Sequence, residues 1–340
     1  MGKKKPLTSQ NVSSIDTRFN RRDGYGEFNV ERALEVMFGT DIPSAPAVGN
    51  GQFNEYGLDR IGAPEAWQAG YTGEGVIIAV LDTGVDVSHI ELDRNIWVNS
   101  AEIAGDGIDN DGNGYVDDVN GWDFAEGDNE TDDVDGHGTH VAGTIASEDN
   151  GIGMTGVAFN AKIMPVKVLG DDGSGSFEDI VAGIYYAVDN GANIINMSLG
   201  AETTFVPEIM STAIKYASER GVIVLMAAGN EGASKPGSPA IYASEHGIAV
   251  GSVGADGSQS SFSNRAGGQT DYEGDGTRRP LYVTAPGENI ISTLPNNYLG
   301  SLSGTSMATP HLAGAIALLL EANPSLTPKQ IRILVANSSL

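Results

Sequence analysis

Five apolar runs set the frame of this chain. They cover residues 76–81, 163–168, 193–197, 222–227 and 248–253, and each is close to continuous. A strand buried on both faces reads this way, because its side chains alternate between two covered surfaces. Between the runs lie stretches with helical spacing, at 141–146, 177–189 and 208–219. Strands alternating with helices predict an α/β fold: a three-layer sandwich with a mostly parallel central sheet. In such sheets ligands bind at the carboxyl ends of the strands. A long apolar helix runs from Ser306 to about Leu320, and another begins near Thr327.

Two stretches break the alternation. Residues 1–50 form a leader. Its first 26 residues are polar and punctuated by Gly, Ser and Asn, which predicts flexibility. Val30, Ala33, Leu34, Val36, Met37 and Phe38 then space like a short amphipathic helix over 28–38. Pro43 and Pro46 make 41–46 an extended linker to the main domain, 51–340. The second break is 104–135, dense in Asp, Asn and Gly, with no helix or strand period. A stretch this long inside a compact domain is usually functional.

Composition narrows the partners. The 340 residues carry 45 acidic and 19 basic side chains, a formal net charge of -26. That argues against nucleic-acid phosphates and anionic membranes and favours cations. Cysteine is absent, which removes disulfides, thiolate metal sites and a thiol nucleophile. No signal peptide or membrane-spanning run is visible, which favours the cytoplasm.

Three segments carry candidate chemistry. Asp82 directly follows the first buried run, in Leu81-Asp82-Thr83-Gly84, and so falls at the carboxyl edge of the sheet. His137 lies where a loop enters a helix, in Gly136-His137-Gly138-Thr139-His140. His137 and His140 could instead pair on a metal, but no Cys or Glu stands at ligand spacing. Ser306 begins a helix in Gly304-Thr305-Ser306-Met307-Ala308-Thr309-Pro310, where free N–H groups and the helix dipole favour developing negative charge. A serine nucleophile needs an imidazole base, and the imidazole needs a carboxylate to fix its tautomer. The chain order Asp, His, Ser is that of the subtilisin type.

Through these boxes, from about Gly51 onward, the chain resembles the subtilisin-family (subtilase) serine endopeptidases. That resemblance implies polypeptide substrates, with Asp82 orienting, His137 acting as base and then acid, and Ser306 attacking the scissile carbonyl. Asn230, in Ala227-Ala228-Gly229-Asn230, would donate to the oxyanion beside the Ser306 N–H. Gly173-Ser174-Gly175 and Ser198-Leu199-Gly200 match the segments that flank an extended substrate. Ser198 to Gly200 and Ala227, Ala228 and Gly229 would line the primary pocket, with Glu231 at its rim favouring basic side chains. The leader becomes a candidate inhibitory prosegment lying across the active site, self-cleaved near Asn50-Gly51. Other serine hydrolases such as esterases follow a different chain order, and an idle binding module would lack a triad member.

Calcium is the cofactor the sequence points to. Asp109, Asp111, Asn113, Tyr115 and Asp117 alternate, with Gly114 at the sixth position, like the start of an EF-hand loop. The twelfth position is Asn120 rather than Glu, so this is a calcium loop and not an EF-hand. Asp106 and Asp118 complete the candidate ligands, and the loop matches an insertion seen in some subtilases. Asp128, Asp132 and Asp133 could form another site. By resemblance alone, a second site would use the side chains of Gln52, Glu91 and Asn150 and the carbonyls of Glu148, Ile152 and Met154.

Overall fold

Strand β1 (Ile77–Asp82) shows why near-continuous apolar runs were expected. Ile78 and Val80 face one core while Ala79 and Leu81 face the other. In the computed structural model, which describes residues 19–46, 55–203, 205, 207–272 and 278–339, β1 lies inside a seven-stranded parallel sheet. The other strands are β2 (Trp122–Asp123), β3 (Lys162–Lys167), β4 (Ile194–Met197), β5 (Ile223–Ala227), β6 (Ile248–Val253) and β7 (Tyr282–Pro286). Their spatial order is β2-β3-β1-β4-β5-β6-β7. The chain goes from β1 to one edge, returns through β3, then builds outward from the other side of β1. The order therefore reverses beside β1, where a crevice opens at the carboxyl ends.

Helices cover both faces. α4 (His137–Ala146), α7 (Thr305–Ala322) and α8 (Pro328–Asn337) bury apolar residues in one core, and α5 (Phe177–Asp189) and α6 (Glu208–Glu219) in the other. The ends of α5 and α8 are set locally. Ser176 accepts from the Asp179 N–H ahead of α5, and Thr327 and Gln330 form a capping box with Pro328 at the first turn of α8. α7 is buried nearly all round, as an all-apolar helix must be. A hairpin of β8 (Ile290–Leu294) and β9 (Tyr298–Leu302) packs on α4. Residues 104–135 are loop, as expected, except for β2, which pairs with β3 at the sheet edge. The Tyr115 ring packs 5.0 Å from both Trp122 and Tyr186 and ties this loop to the body.

The described part of the leader differs from both expectations, while residues 1–18 and 47–50 lie outside the described residues. Residues 19–46 are neither loose nor laid across the cleft. Tyr25 and Phe28 donate their N–H groups to Tyr282 and Thr284 of β7, and Thr284 donates back to Gly26, so the leader extends the sheet at its far edge. Gly24 is required here, since a Cβ would sit 2.2 Å from the Tyr282 carbonyl. α1 (Val30–Phe38) starts on an Asn29 cap and ends on Gly39 in the left-handed region. Phe28, Val30, Ala33, Leu34 and Met37 are buried in the core shared with α7 and α8. α1 itself is flanked by α3 (Ala63–Gln68), while α2 (Glu55–Ile61) carries Arg60, whose Nε donates to Glu27 at 2.7 Å. Sequence periodicity found the helix but could not show which surface receives it. Among the described residues no helix is long and apolar enough to cross a membrane.

Candidate active site

Asp82 ends β1 and is fully buried. Its Oδ1 accepts from the Thr83 N–H at 2.8 Å and meets His137 Nδ1 at 2.7 Å. A carboxylate only accepts, so Nδ1 carries a hydrogen, and in the neutral ring Nε2 then keeps the free lone pair. His137 opens α4, and a dense network fixes that helix against the Asp82 loop. Gly138 is one reason, since a Cβ there would lie 2.0 Å from the Gly84 carbonyl. Asp133 is another. Its carboxylate accepts from Thr83 Oγ1, Gly136 N, Thr139 N and Thr139 Oγ1 at 2.7–2.9 Å. All four of its acceptor sites are spent on capping α4 and joining it to Thr83. That corrects the reading of Asp133 as a metal ligand. The buried Lys167, paired in register with Asp82, donates to the Thr83 carbonyl at 2.7 Å and to Asp171 at 3.0 Å. Sequence reasoning missed it, although a lysine inside an apolar strand was the signal.

His140 does not pair with His137 on a metal. It is buried, its Nε2 faces the Ile290 carbonyl, and burial pushes it down to about 4. Burial also opposes charge on His137, but the Asp82 carboxylate, with Asp135 and Asp133 behind it, outweighs this and raises His137 to about 9.

Ser306 lies in the first turn of α7 and is half-buried. Its hydroxyl donates to the Ser198 carbonyl at 2.9 Å. Asn230 is fixed through its acceptor end: Oδ1 takes the Thr305 N–H at 2.8 Å and the Thr305 hydroxyl at 3.1 Å. Its amide Nδ2 is thereby turned away from Thr305. One cavity of about 550 Å³ is lined by His137, Ser306 and Asn230 together. Gly173, Ser174 and Gly175 form one wall, while Ser198, Leu199, Gly200, Ala227, Ala228, Gly229 and Glu231 also line it. Every substrate-binding residue expected from the sequence therefore borders the same space. Phe177, Ile180, Met210 and Pro239 add apolar walls that no motif announced. Glu231 Oε2 accepts from Asn264 at 2.6 Å, so its charge is partly engaged.

A model described as the subtilase family matches residues 73–340. The chain belongs to the subtilase family. It is 40% identical over 284 residues to subtilisin BL of Lederbergia lenta, spanning 84% of this chain and 90% of that protein. It is 43% identical over 269 residues to the major intracellular serine protease of Bacillus subtilis (strain 168), spanning 77% of this chain and 74% of that protein. Against the alkaline protease of Alkalihalobacillus alcalophilus the match is 40% over 84% of this chain, and spans 64% of that protein. The crystal structure of a cold adapted subtilisin-like serine proteinase superposes with a TM-score of 0.60 at 34% identity, covering 77% of this chain and 81% of that one. This subtilase is a serine-type endopeptidase.

The subtilase's candidate calcium residues fall into two groups. Glu91 is buried, its Oε2 has no hydrogen-bond partner among the described residues, and burial together with the Glu148 charge pushes it up to about 7. An orphaned carboxylate oxygen beside a second carboxylate fits a cation. Asn150 Nδ2 lies 3.5 Å from the Ile90 carbonyl, and Ile152 donates its N–H to Asn150 Oδ1. Met154 is buried and Ile152 exposed. Gln52 lies outside the described residues.

In the acidic loop, carboxylate oxygens of Asp109 and Asp111 come within 4.8 Å of each other and of Glu102. Glu102 was not foreseen; it stands outside the alternating motif. Most of the other expected ligands are hydrogen-bonded, as is Asp109 itself, whose carboxylate accepts the N–H groups of Gly112, Asn113 and Gly114. Asp117 accepts the N–H groups of Gly105, Asp106 and Gly107. Asp118 is buried against Asn99 and Tyr186. Asp106 accepts from Ile108 and Asn110, and Asn113 bonds Asp111 and Asp118. Tyr115 spends its ring on the aromatic cluster. Asp128 accepts from the Glu130 N–H, and Asp132 is exposed.

An imidazolium cannot accept a proton, so a base at residue 137 would tie the pH profile to the pKa of His137. Hydrolysis of an uncharged peptide should rise with pH through a midpoint near 9. Asp82→Asn should move that midpoint down and cut the plateau about 10⁴-fold. A rate independent of pH across this range would contradict the assignment of base and carboxylate.

Proposed function

We propose that this chain is a calcium-stabilised endopeptidase working through Asp82, His137 and Ser306 and an acyl-enzyme. The observation that carries this reading is the Asp82–His137 hydrogen bond at the wall of the cavity that Ser306 and Asn230 also line. An extended peptide lies between 173–175 and 198–200. Ser306 turns from the Ser198 carbonyl toward His137 Nε2, loses its proton there and attacks the scissile carbonyl. The Ser306 N–H and Asn230 Nδ2 receive the oxyanion. The imidazolium, steadied by Asp82, then protonates the leaving amine, and water repeats the sequence to release the acid. A serine-reactive phosphonate should label the protein, and Ser306→Ala should abolish labelling. Asn230→Ala should cost about 10²–10³ in kcat with little change in KM. Labelling of Ser306→Ala would remove the nucleophile.

Glu91 and Asn150 with the carbonyls of Glu148, Ile152 and Met154, and separately Glu102, Asp109 and Asp111, would hold calcium. The ion's contribution there is to neutralise clustered carboxylates and so stabilise the folded state by mass action, by about 2.7 kcal/mol at 100 times Kd. Chelator should lower the melting temperature, and Glu91→Gln should shrink that shift. A melt indifferent to chelator would refute calcium stabilisation.

Self-cleavage near Asn50-Gly51, which lies outside the described residues, would produce the mature enzyme. The burial of Phe28, Leu34 and Met37 supports retention of the severed leader. N-terminal sequencing of active enzyme should find Gly51, and intact mass under native conditions should still include the leader that a denaturing gel separates. An intact Met1 in fully active enzyme would exclude processing.

A further inference from the structure

In an α-helix each carbonyl accepts the N–H four residues on. For Ser306, in the first turn of α7, that partner is residue 310, a proline inside the helix with no N–H to give. A carbonyl without its partner in a buried setting needs another donor. The donor is Ser198, whose Oγ lies 2.7 Å from the Ser306 carbonyl. A hydroxyl has one hydrogen, and Ser198 spends it on Ser306. The Ser198 oxygen can then only accept from its remaining neighbour, and Asn196 Nδ2 stands 2.9 Å away. The direction of both bonds follows from this count: Asn196 donates to Ser198, which donates to Ser306.

We infer that Asn196 and Ser198 are positioning residues, a two-step relay that replaces the N–H missing at Pro310 and fixes the peptide of Ser306. Asn196 sits in β4 between Val80 and Leu225 of its neighbours, so the origin of the relay is part of the sheet. Residues 196 and 198 share one side of the extended chain, as positions two apart do. Asn196 is 0% exposed and Ser198 2%, which shuts out competing water. Burying an amide at the centre of a sheet is costly, and Asn196 Oδ1 finds no partner among the described residues. An apolar residue would fill that place at less cost if packing were its only task. Ser198 also holds the hydroxyl of Ser306 through its own carbonyl at 2.9 Å. On the other side of the nucleophile, Thr305 is held by Asn230 and by the Gly229 N–H, which donates to Thr305 Oγ1 at 3.1 Å. The carbonyl of Ser306 and the residue before it are thus both held from outside α7.

The inference rests on Ser306 being the nucleophile, and the test separates the two. Ser198→Ala in the full chain should lower kcat about 10- to 100-fold with KM little changed, the scale expected when a reacting atom is displaced by about 1 Å. Pro310→Ala, added to Ser198→Ala, restores an N–H opposite the Ser306 carbonyl and should recover most of that loss. A role confined to stability would show no such recovery, since the second substitution returns nothing to residue 198. Should Ser198→Ala fail to fold, Asn196→Ala carries the same test, with the same recovery expected from Pro310→Ala. An unchanged kcat in the single variant, or a loss that Pro310→Ala leaves untouched, overturns the relay. Phosphonate labelling of Ser306→Ala would instead overturn the nucleophile and leave the hydrogen-bond count standing.

Discussion

Asp82 and His137 are 55 residues apart in sequence and 2.7 Å apart in space, and the rest of the site depends on how that contact is held. The main fastener takes no part in the chemistry. Asp133 accepts four hydrogen bonds, one from Thr83 beside Asp82 and three from the start of α4. Its negative charge stands where the amino end of the helix favours it. Lys167 pulls on the same Thr83 from the neighbouring strand. Gly138 lets the helix come close enough for these bonds to form. A carboxylate, a lysine and a missing side chain thus convert two flexible loops into one rigid corner.

Ser306 is held by a different logic. α7 supplies the position of Ser306 but cannot supply all of its hydrogen bonds, because Pro310 interrupts the ladder. The sheet provides what the helix lacks, through β4 and the residues after β5. Asp82 with His137, and Ser306 with Asn230, therefore report to the same rigid object, the carboxyl edge of the parallel sheet, by two routes. That arrangement brings residues 82, 137, 230 and 306, distant in sequence, to one candidate site.

Much of this was legible beforehand. The bounds of α5, α6 and β6 coincide with the periodic stretches read from the chain, because each is long and its apolar spacing unambiguous. β2 escaped, being two residues long. β7 carries Thr284 and Pro286 and lacks a clean apolar run. The leader's contribution to the sheet edge escaped because isolated backbone bridges have no side-chain period at all. The boxes around Asp82, His137 and Ser306 were legible because each couples a polar residue to small neighbours, of which Gly84 and Gly138 stand in close approach to other backbone.

The acidic residues were the least legible, and the reason is general. A carboxylate at a given spacing can cap a helix, bind backbone amides or hold a cation, and sequence does not count the donors it will face. Asp133, once grouped with possible ligands, faces four donors and has nothing left to offer an ion. Glu91, one carboxylate among the 45 acidic residues, retains a buried oxygen with no donor among the described residues. Asp117 lies between these extremes, its oxygens taken by three exposed backbone amides that water could equally satisfy. A buried carboxylate short of donors is unstable as an anion unless a cation arrives. Counting donors, rather than counting acids, is what separates the buried Glu91 from the structural cap Asp133 in a chain this negative.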